Sequence, residues 1–341
     1  MKTYKNLWEQ FVSKENFELA YKNSIKNKSG QHQIIEFKKN RENNLEKVRQ
    51  SVVNGAFHTS EYKEMKIYEP KERIIYKLPY SPDRIVQHAI MNVLKPIFTN
   101  LFIENSFACI EGRGQLKASQ KCAEYVRKND YCLKCDIHKF YPSINQQTLS
   151  DMIHRIIKDN RFMAVVDDVI FSFEGGYNCP IGNLCSQWFG NFYLTKLDNF
   201  VLHELKPRGY IRYCDDFLLF DNDKTHLNRC RDRMSDFLYR ELELEYSKAE
   251  LFNVKQGVDF VGYRHFKKFL LVRKSTGKRL KKRCQRIDKK FYALNLDTTE
   301  GQLASGNGLI KHACTHNFRR SLKLDELTEK VRREKWERKT K

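Results

Sequence analysis

Residues 211–219 read Ile-Arg-Tyr-Cys-Asp-Asp-Phe-Leu-Leu, so Asp215 and Asp216 stand side by side in an otherwise apolar, strand-like run. Crowded carboxylates repel each other, and burial raises the cost of ionising them. One reading is a turn, where Asp is common. The other is a divalent cation, since Mg²⁺ prefers hard oxygen ligands and relieves both penalties. The flanks, Tyr213 and Cys214 before the pair and Phe217 to Phe220 after it, suit two strands joined by a tight hairpin. Such a tip exposes two carboxylates while its strands stay buried.

A third carboxylate sharpens the second reading. Asp136 ends the apolar run that begins at Tyr131. If that strand neighbours the hairpin, three carboxylates converge and can hold two divalent ions. One ion activates an attacking hydroxyl and the other steadies a leaving pyrophosphate. Adjacency alone is weak, as a second pair, Asp167 and Asp168, shows; that pair reads as a helix surface or a turn.

The 341 residues, 40% apolar and 13% aromatic, suit a folded chain of two or three lobes. No apolar run is long enough to span a bilayer, and the N-terminus lacks a signal-peptide core. The ten cysteines are scattered and read as reduced thiols of a cytoplasmic protein. Cys132 and Cys135 form a C-x-x-C near Cys122, but the candidates for a second half, His312, Cys314 and His316, lack zinc-knuckle spacing. Buried thiols are expected.

Charge is uneven. The chain carries +21, and residues 264–341 hold 24 Lys or Arg against 8 Asp or Glu. Within 266–290 twelve residues are basic and one is acidic. Interleaved with Phe260, Tyr263, Phe266, Phe269, Phe291 and Tyr292, such a face suits nucleic acid, where cation release drives binding and bases stack on rings. Its competitors are a solubilising surface and an anionic membrane contact.

Periodicity predicts helices over 1–55, extended chain over 56–80, and an amphipathic helix starting at Asp83 as N-cap. A buried strand ends at Asp136 or just after it. Helices follow over 148–173, then a turn at 180 and a long helix. After the Asp-Asp hairpin come a helix from Thr225, short strands around 260 and 270, and a basic helical end.

The order of these pieces resembles reverse transcriptases from about residue 65 to 265. Cys135–Ile144, Pro180–Gln187, Tyr213–Asp216 and Glu241–Glu250 are similar to four successive polymerase motifs. Phe260, Val261, Gly262 and Tyr263 resemble the primer-grip strand. Residues 69–90 resemble the fingers, and 106–118 the next finger strand and turn. In the second motif most relatives have Gln-Gly and then Ser-Pro. Here Ile181-Gly182 is followed by Ser186-Gln187, which resembles the reverse transcriptases of diversity-generating retroelements.

The resemblance implies an α+β right-hand polymerase. Residues 1–55 would be an N-terminal helical segment, 56–265 fingers and palm, and 266–341 a short basic helical thumb. It implies a cytoplasmic RNA-directed DNA polymerase that takes an RNA template, a DNA or RNA primer and dNTPs. That subfamily copies a template-repeat RNA with errors opposite adenine, aided by a small basic accessory protein. Two Mg²⁺ ions, with Mn²⁺ as a substitute, would be held by Asp136, the Ile137 carbonyl, Asp215 and Asp216. Lys71 and Arg73 match residues that grip the triphosphate, with their division of labour open. Tyr141 matches the ring that blocks a 2′-hydroxyl, or is a core aromatic. Gly182 would let backbone approach the nucleotide. Ile181, standing where relatives have Gln, would loosen geometric checking. Lys248 would protonate the leaving pyrophosphate, or is a solvated lysine. Arg113 and Lys117 would face template or triphosphate. The rivals are a retron, group II intron-like or phage-defence reverse transcriptase, a silent nucleic-acid-binding scaffold, and a template-independent polymerase.

Overall fold

The computed structural model describes residues 2–68 and 72–340. Its centre is a four-stranded antiparallel sheet of β3 (Tyr131–Ile137), β4 (Gly209–Tyr213), β5 (Asp216–Asp221) and β6 (Tyr246–Asn253), in the order β4-β5-β3-β6. Before it in the chain lies the hairpin of β1 (Lys63–Ile67) and β2 (Arg73–Lys77). After it come β7 (Val258–Phe260), β8 (Tyr263–His265) and β9 (Leu270–Val272). The α+β class is as expected.

The central strands are apolar on both faces because both faces are covered. Leu133, Cys135, Phe217 and Leu219 enter the main core, whereas Cys132, Ile211, Leu218 and Phe220 enter a second one. Helix Gln115–Lys128 lines the second core through Ala118, Cys122 and Val126. Cys132 and Cys135 thus point to opposite sides of β3 and cannot share a metal ion. Every cysteine is free, and burial raises the thiols of both well above their ordinary value.

The helices Trp8–Val12, Lys14–Ser24, His32–Lys39 and Arg41–Val53 share the main core with helix Ile85–Thr99. Asp83 does not cap that last helix. It lies in a wide turn, Tyr80–Arg84, and its carboxylate accepts hydrogen bonds from Ser60 N and Oγ, because the chain before β1 needs a partner there. The expected finger strand over 106–118 is also absent. Its only trace among the described residues is a bridge from Ser106 to Arg212, after which the chain turns and enters helix Gln115–Lys128. The long helix expected after residue 183 is broken into Leu184–Tyr193 and Thr195–Phe200.

Helices Lys274–Lys289, Leu296–Ile310 and Leu324–Thr340 carry a core of their own, which includes Leu280, Cys284, Ile287, Leu303, Leu327 and Val331. Leu303 is 1% exposed, so Leu303→Ala leaves a cavity and costs about 2–5 kcal/mol locally. Because this core is separate, hydrogen exchange should accelerate over residues 274–340 and stay unchanged in β3 to β6.

Candidate active site

The hairpin of the opening is real and tight. Tyr213 pairs with Asp216 across a two-residue turn, with Cys214 in the left-handed region at φ 60°. A non-glycine residue there is uncommon and marks a turn held by its surroundings. Asp216 is also the direct cross-strand partner of Asp136, and Asp136 is opposed on its other side by Lys248. β3 bulges between Asp136 and Ile137, where its pairing with β6 shifts. Asp136 and Asp216 lie on the face that buries Cys132 and Leu218, at the end where that face opens.

The carboxylates have distinct partners. Asp136 Oδ2 accepts from Ser247 Oγ at 2.7 Å. Asp216 Oδ2 is 3.7 Å from Lys134 Nζ, which donates to the Asp259 carbonyl at 2.6 Å. Asp259 is ion-paired in turn with Arg273. Asp216 Oδ1 is buried and has no hydrogen-bond partner. Burial, then Asp136 and Asp215, push the Asp216 carboxyl up to about 6 against the opposing pull of Lys134 and Arg273. Asp215 is also raised, mainly by burial and then by Asp136, with Arg73 near enough to pull it down.

Among the described residues no three His, Cys, Asp or Glu side chains gather into a group that could hold a metal ion. The expected convergence therefore holds for backbone positions and fails for a closed cage. Two of the oxygens turn to Ser247 and toward Lys134 instead of to each other. A hard cation still fits the place. It would give the orphaned Asp216 oxygen its missing partner and offset the burial, and the lesser mutual repulsion, that raise two of the carboxyls.

Around this end lie the other expected residues. Tyr141 stands beside the hairpin, its hydroxyl 3.3 Å from Cys214 Sγ, and burial raises its phenol. A Cβ on Gly190 would come within 3.0 Å of both the Phe140 and Tyr141 rings, so that glycine makes room for them. Gly182, at φ +127°, meets protein backbone: a Cβ there would lie 2.3 Å from the Tyr76 carbonyl. Tyr76 N donates to the Ile181 carbonyl at 2.8 Å, which locks β2 onto this segment. Arg84 donates to the Gly182 carbonyl at 3.1 Å.

Lys248 is exposed and lies 3.7 Å from Glu250. Val261 and Gly262, both at positive φ, form the two-residue turn between β7 and β8. Phe260 and Val261 sit in the second core, and Tyr263 donates to the Leu309 carbonyl at 2.7 Å. Arg113 donates to the carbonyls of Ile103 and Ser106 and so braces a turn. Lys117 lines a surface cavity of about 590 Å³ with Arg113, Lys121 and Arg127. Lys71 lies outside the described residues. Asp167 and Asp168 are far from this end in role: they bind Ser150 with His154, and His58 with Thr59.

Sequence reasoning missed the support beneath the hairpin. Arg212 is fully buried and bidentate to Asp198, at 2.8 and 2.6 Å. Its Nη1 donates to Asn191 Oδ1 and to the Cys214 carbonyl in the turn. Asn191 Nδ2 donates to the Ala108 carbonyl, and Tyr210 to Asp198. Burial alone would weaken the Arg212 charge, but Asp198 outweighs it and holds the guanidinium protonated. The signal was present, an arginine in an apolar strand, but its partners lie far off in sequence.

Residues 63–265 match the family described as "Reverse transcriptase (RNA-dependent DNA polymerase)". The chain belongs to the reverse transcriptase family. It is 24% identical over 164 residues to the nuclear intron maturase 4, mitochondrial, of Arabidopsis thaliana, covering 46% of this chain and 21% of that protein. It is 24% identical over 131 residues to the putative COX1/OXI3 intron 2 protein of Saccharomyces cerevisiae, covering 35% of this chain and 15% of that protein. The chain thus spans about a fifth or less of the length of these curated relatives. No helix among the described residues is long and apolar enough to cross a membrane.

Two outcomes are expected at this site of the reverse transcriptase-family chain. Asp198→Ala leaves Arg212 charged and buried without its partner, and should cost about 3–5 kcal/mol in chemical denaturation. Replacing both members with apolar residues should cost less. Asp216 has a raised carboxyl, so between about pH 4 and 6 the folded chain binds more protons than the unfolded one. Its contribution to stability is full below that window and is lost as pH rises through it. Asp216→Asn should therefore stabilise the fold by about 1–3 kcal/mol at pH 8 and by almost nothing at pH 4. A gain that is equal at both pH values would refute the burial account.

Proposed function

We propose that this chain is an RNA-directed DNA polymerase that copies a template-repeat RNA into cDNA with errors opposite adenine, and so diversifies a target gene. The observation that carries the polymerase reading is the cross-strand pairing of Asp136 with Asp216 beside the Asp215 turn, with one Asp216 oxygen buried and unpartnered. When bound, two Mg²⁺ ions held by Asp136, the Ile137 carbonyl, Asp215 and Asp216 would activate the primer hydroxyl and stabilise charge on the leaving pyrophosphate.

The chain's own residues supply the rest. Arg73, placed at the start of β2 and electrostatically coupled to Asp215, binds the triphosphate, with Lys71 as its neighbour in sequence. Tyr141, wedged between Gly190 and Cys214, presents a ring edge that a 2′-hydroxyl would strike. Lys248, exposed opposite Asp136, is free enough to deliver a proton to pyrophosphate. The Val261-Gly262 turn supports the primer strand, and the basic helices beyond residue 273 track the backbone through phosphate contacts.

The error-prone part of the reading rests on Ile181 and on Ser186-Gln187. With an aliphatic side chain at 181, no amide orients the incoming nucleotide, and mispairs are checked less well. A small basic accessory protein belongs to the same reading. A second reading, a group II intron-type reverse transcriptase, is favoured by a different observation: both relatives above are named for introns.

Primer extension on an RNA containing every base, with Mg²⁺ and all four dNTPs, separates these readings when the products are sequenced. Wild type should make cDNA with errors concentrated at template adenines. Asp215→Ala and Asp216→Ala should lose at least about a thousandfold in rate, the scale of removing a main electrostatic stabiliser. Ile181→Gln should keep the rate and lower the errors. Even, low errors in the wild type would leave the polymerase standing and favour the intron-type reading. Product made without RNA would point to a template-independent enzyme.

A further inference from the structure

Lys134 sits two residues before Asp136 on β3, so both side chains leave the same face of the sheet. Asp216 is the cross-strand partner of Asp136, which places it diagonally from Lys134. The Lys134 ammonium donates to the Asp259 carbonyl at 2.6 Å and stands 3.7 Å from Asp216 Oδ2. The first contact is a hydrogen bond, whereas the second is too long for one and is a contact between charges. Lys134 is thus held by the carbonyl and only aimed at the carboxylate. Its register partner on β6 is Glu250, which reaches Lys248 at 3.7 Å.

The carboxylates are not served alike. Asp136 takes a neutral partner, Ser247 Oγ, at 2.7 Å. Asp216 has a cation beside one oxygen and, among the described residues, no hydrogen-bond partner on the other, which is buried. A divalent ion and the Lys134 ammonium therefore compete for the same negative charge. Between partly buried groups this close, one unit charge changes the affinity for another cation by at least about tenfold, even after solvent screening. Lys134 also has a second anchor to fall back on. The Asp259 carboxylate accepts from Arg273 Nε at 2.5 Å, and Arg273 N donates to the Gly262 carbonyl at 3.0 Å. Arg273 is the residue from which helix Lys274–Lys289 starts.

We propose that Lys134 is a positioning residue that stands in for a divalent ion at Asp216, yields when one binds, and passes that change to the C-terminal helices. Without the ion, Lys134 holds the Asp216 carboxylate in place at the hairpin. With the ion bound, it gives up Asp216, keeps the Asp259 carbonyl and draws β7 onto β3. Asp259 and Arg273 carry the change to the Val261-Gly262 turn and to the first turn of helix Lys274–Lys289. The site is thereby less avid for metal than its carboxylates alone would be, and filling it stiffens the segment beyond β6. This rests on the reading of Asp136, Asp215 and Asp216 as a metal site of a polymerase, and the test below keeps the two apart.

The full chain is titrated with Mn²⁺ at about pH 8 without nucleic acid or nucleotides, and free Mn²⁺ is counted by its electron paramagnetic resonance signal. Lys134→Met should bind Mn²⁺ at least about tenfold more tightly than wild type, and Lys134→Arg, which restores the charge, should stay within about threefold of wild type. Lys134→Gln replaces the Met variant if thermal melting shows that the latter does not fold. The gain should vanish when Asp216→Asn is added, which assigns it to that carboxylate. Amide hydrogen exchange reads the second half. Mg²⁺ should slow exchange over residues 258–273 by at least about threefold in wild type, and leave it unchanged in Lys134→Met and in Asp259→Asn. The proposal is overturned if Lys134→Met binds Mn²⁺ no more tightly than wild type, if the gain survives Asp216→Asn, or if Mg²⁺ leaves the wild-type segment unaltered. Primer extension by wild type runs alongside. Extension without the affinity gain removes the role of Lys134 and leaves the polymerase reading standing, and the gain without extension does the reverse.

Discussion

The Arg212–Asp198 pair, sealed beneath the sheet, is the constraint on which the site depends. A turn that carries two carboxylates beside a third would spread apart under its own repulsion. Arg212 opposes this from below by donating to the Cys214 carbonyl while Asp198 fixes the guanidinium. Its backbone also bonds to Asn105 and Phe107, so the same residue pins the chain on the far side of β4. A buried pair of this kind adds little to stability when compared with a well-packed apolar pair. Its value here is positional: it sets the backbone of the turn without using either carboxylate. The carboxylate oxygens are then left for other partners.

A second chain of contacts runs upward from the same carboxylates. Lys134 approaches Asp216 and donates to the Asp259 carbonyl, Asp259 pairs with Arg273, and Arg273 N donates to the Gly262 carbonyl. The turn between β7 and β8 and the start of the basic helix Lys274–Lys289 are thereby tied to the central sheet. His265 adds a separate tie, from Val258 and β8 to Ser119 on helix Gln115–Lys128. The C-terminal helices have their own core, yet their root is anchored within reach of Asp216. Lys134 also lowers the Asp216 carboxyl, so one side chain serves both position and charge.

The parts of the fold that could be read from sequence are those fixed by local pattern. Alternation and flanking turns located β3 and the β4–β5 hairpin, since each is encoded in fewer than a dozen neighbouring residues, whereas the strand expected over Phe260–Tyr263 is broken by the Val261-Gly262 turn between β7 and β8. The basic C-terminal helices followed from composition. What escaped was set by distant partners. Asp83 had the chemistry of a cap, but Ser60 claims it. Residues 106–118 had the look of a strand, but only Ser106 finds a ladder partner before Arg113 braces the turn. The C-x-x-C thiols were expected to be buried, and they are, but the split of the two between different cores is set by strand parity. The three carboxylates were legible as a set, whereas the partners of Asp136 and Asp216, Ser247 and Lys134, were not.

Gly182 shows how a motif can be satisfied by the protein itself. Its lack of a Cβ was expected to let backbone approach a nucleotide. Here it admits the Tyr76 carbonyl of β2, while the Tyr76 amide bonds back to Ile181. The backbone of residue 181 is therefore held by β2 whatever side chain it bears. Arg73 lies on the same strand, three residues before Tyr76. The segment that would check a base pair and the cation that would hold a triphosphate thus share one hydrogen-bonded ladder. A glutamine at 181 would inherit the same backbone and differ only in what its side chain can reach. Any change in error rate at that position then reports the amide itself and not a displaced strand.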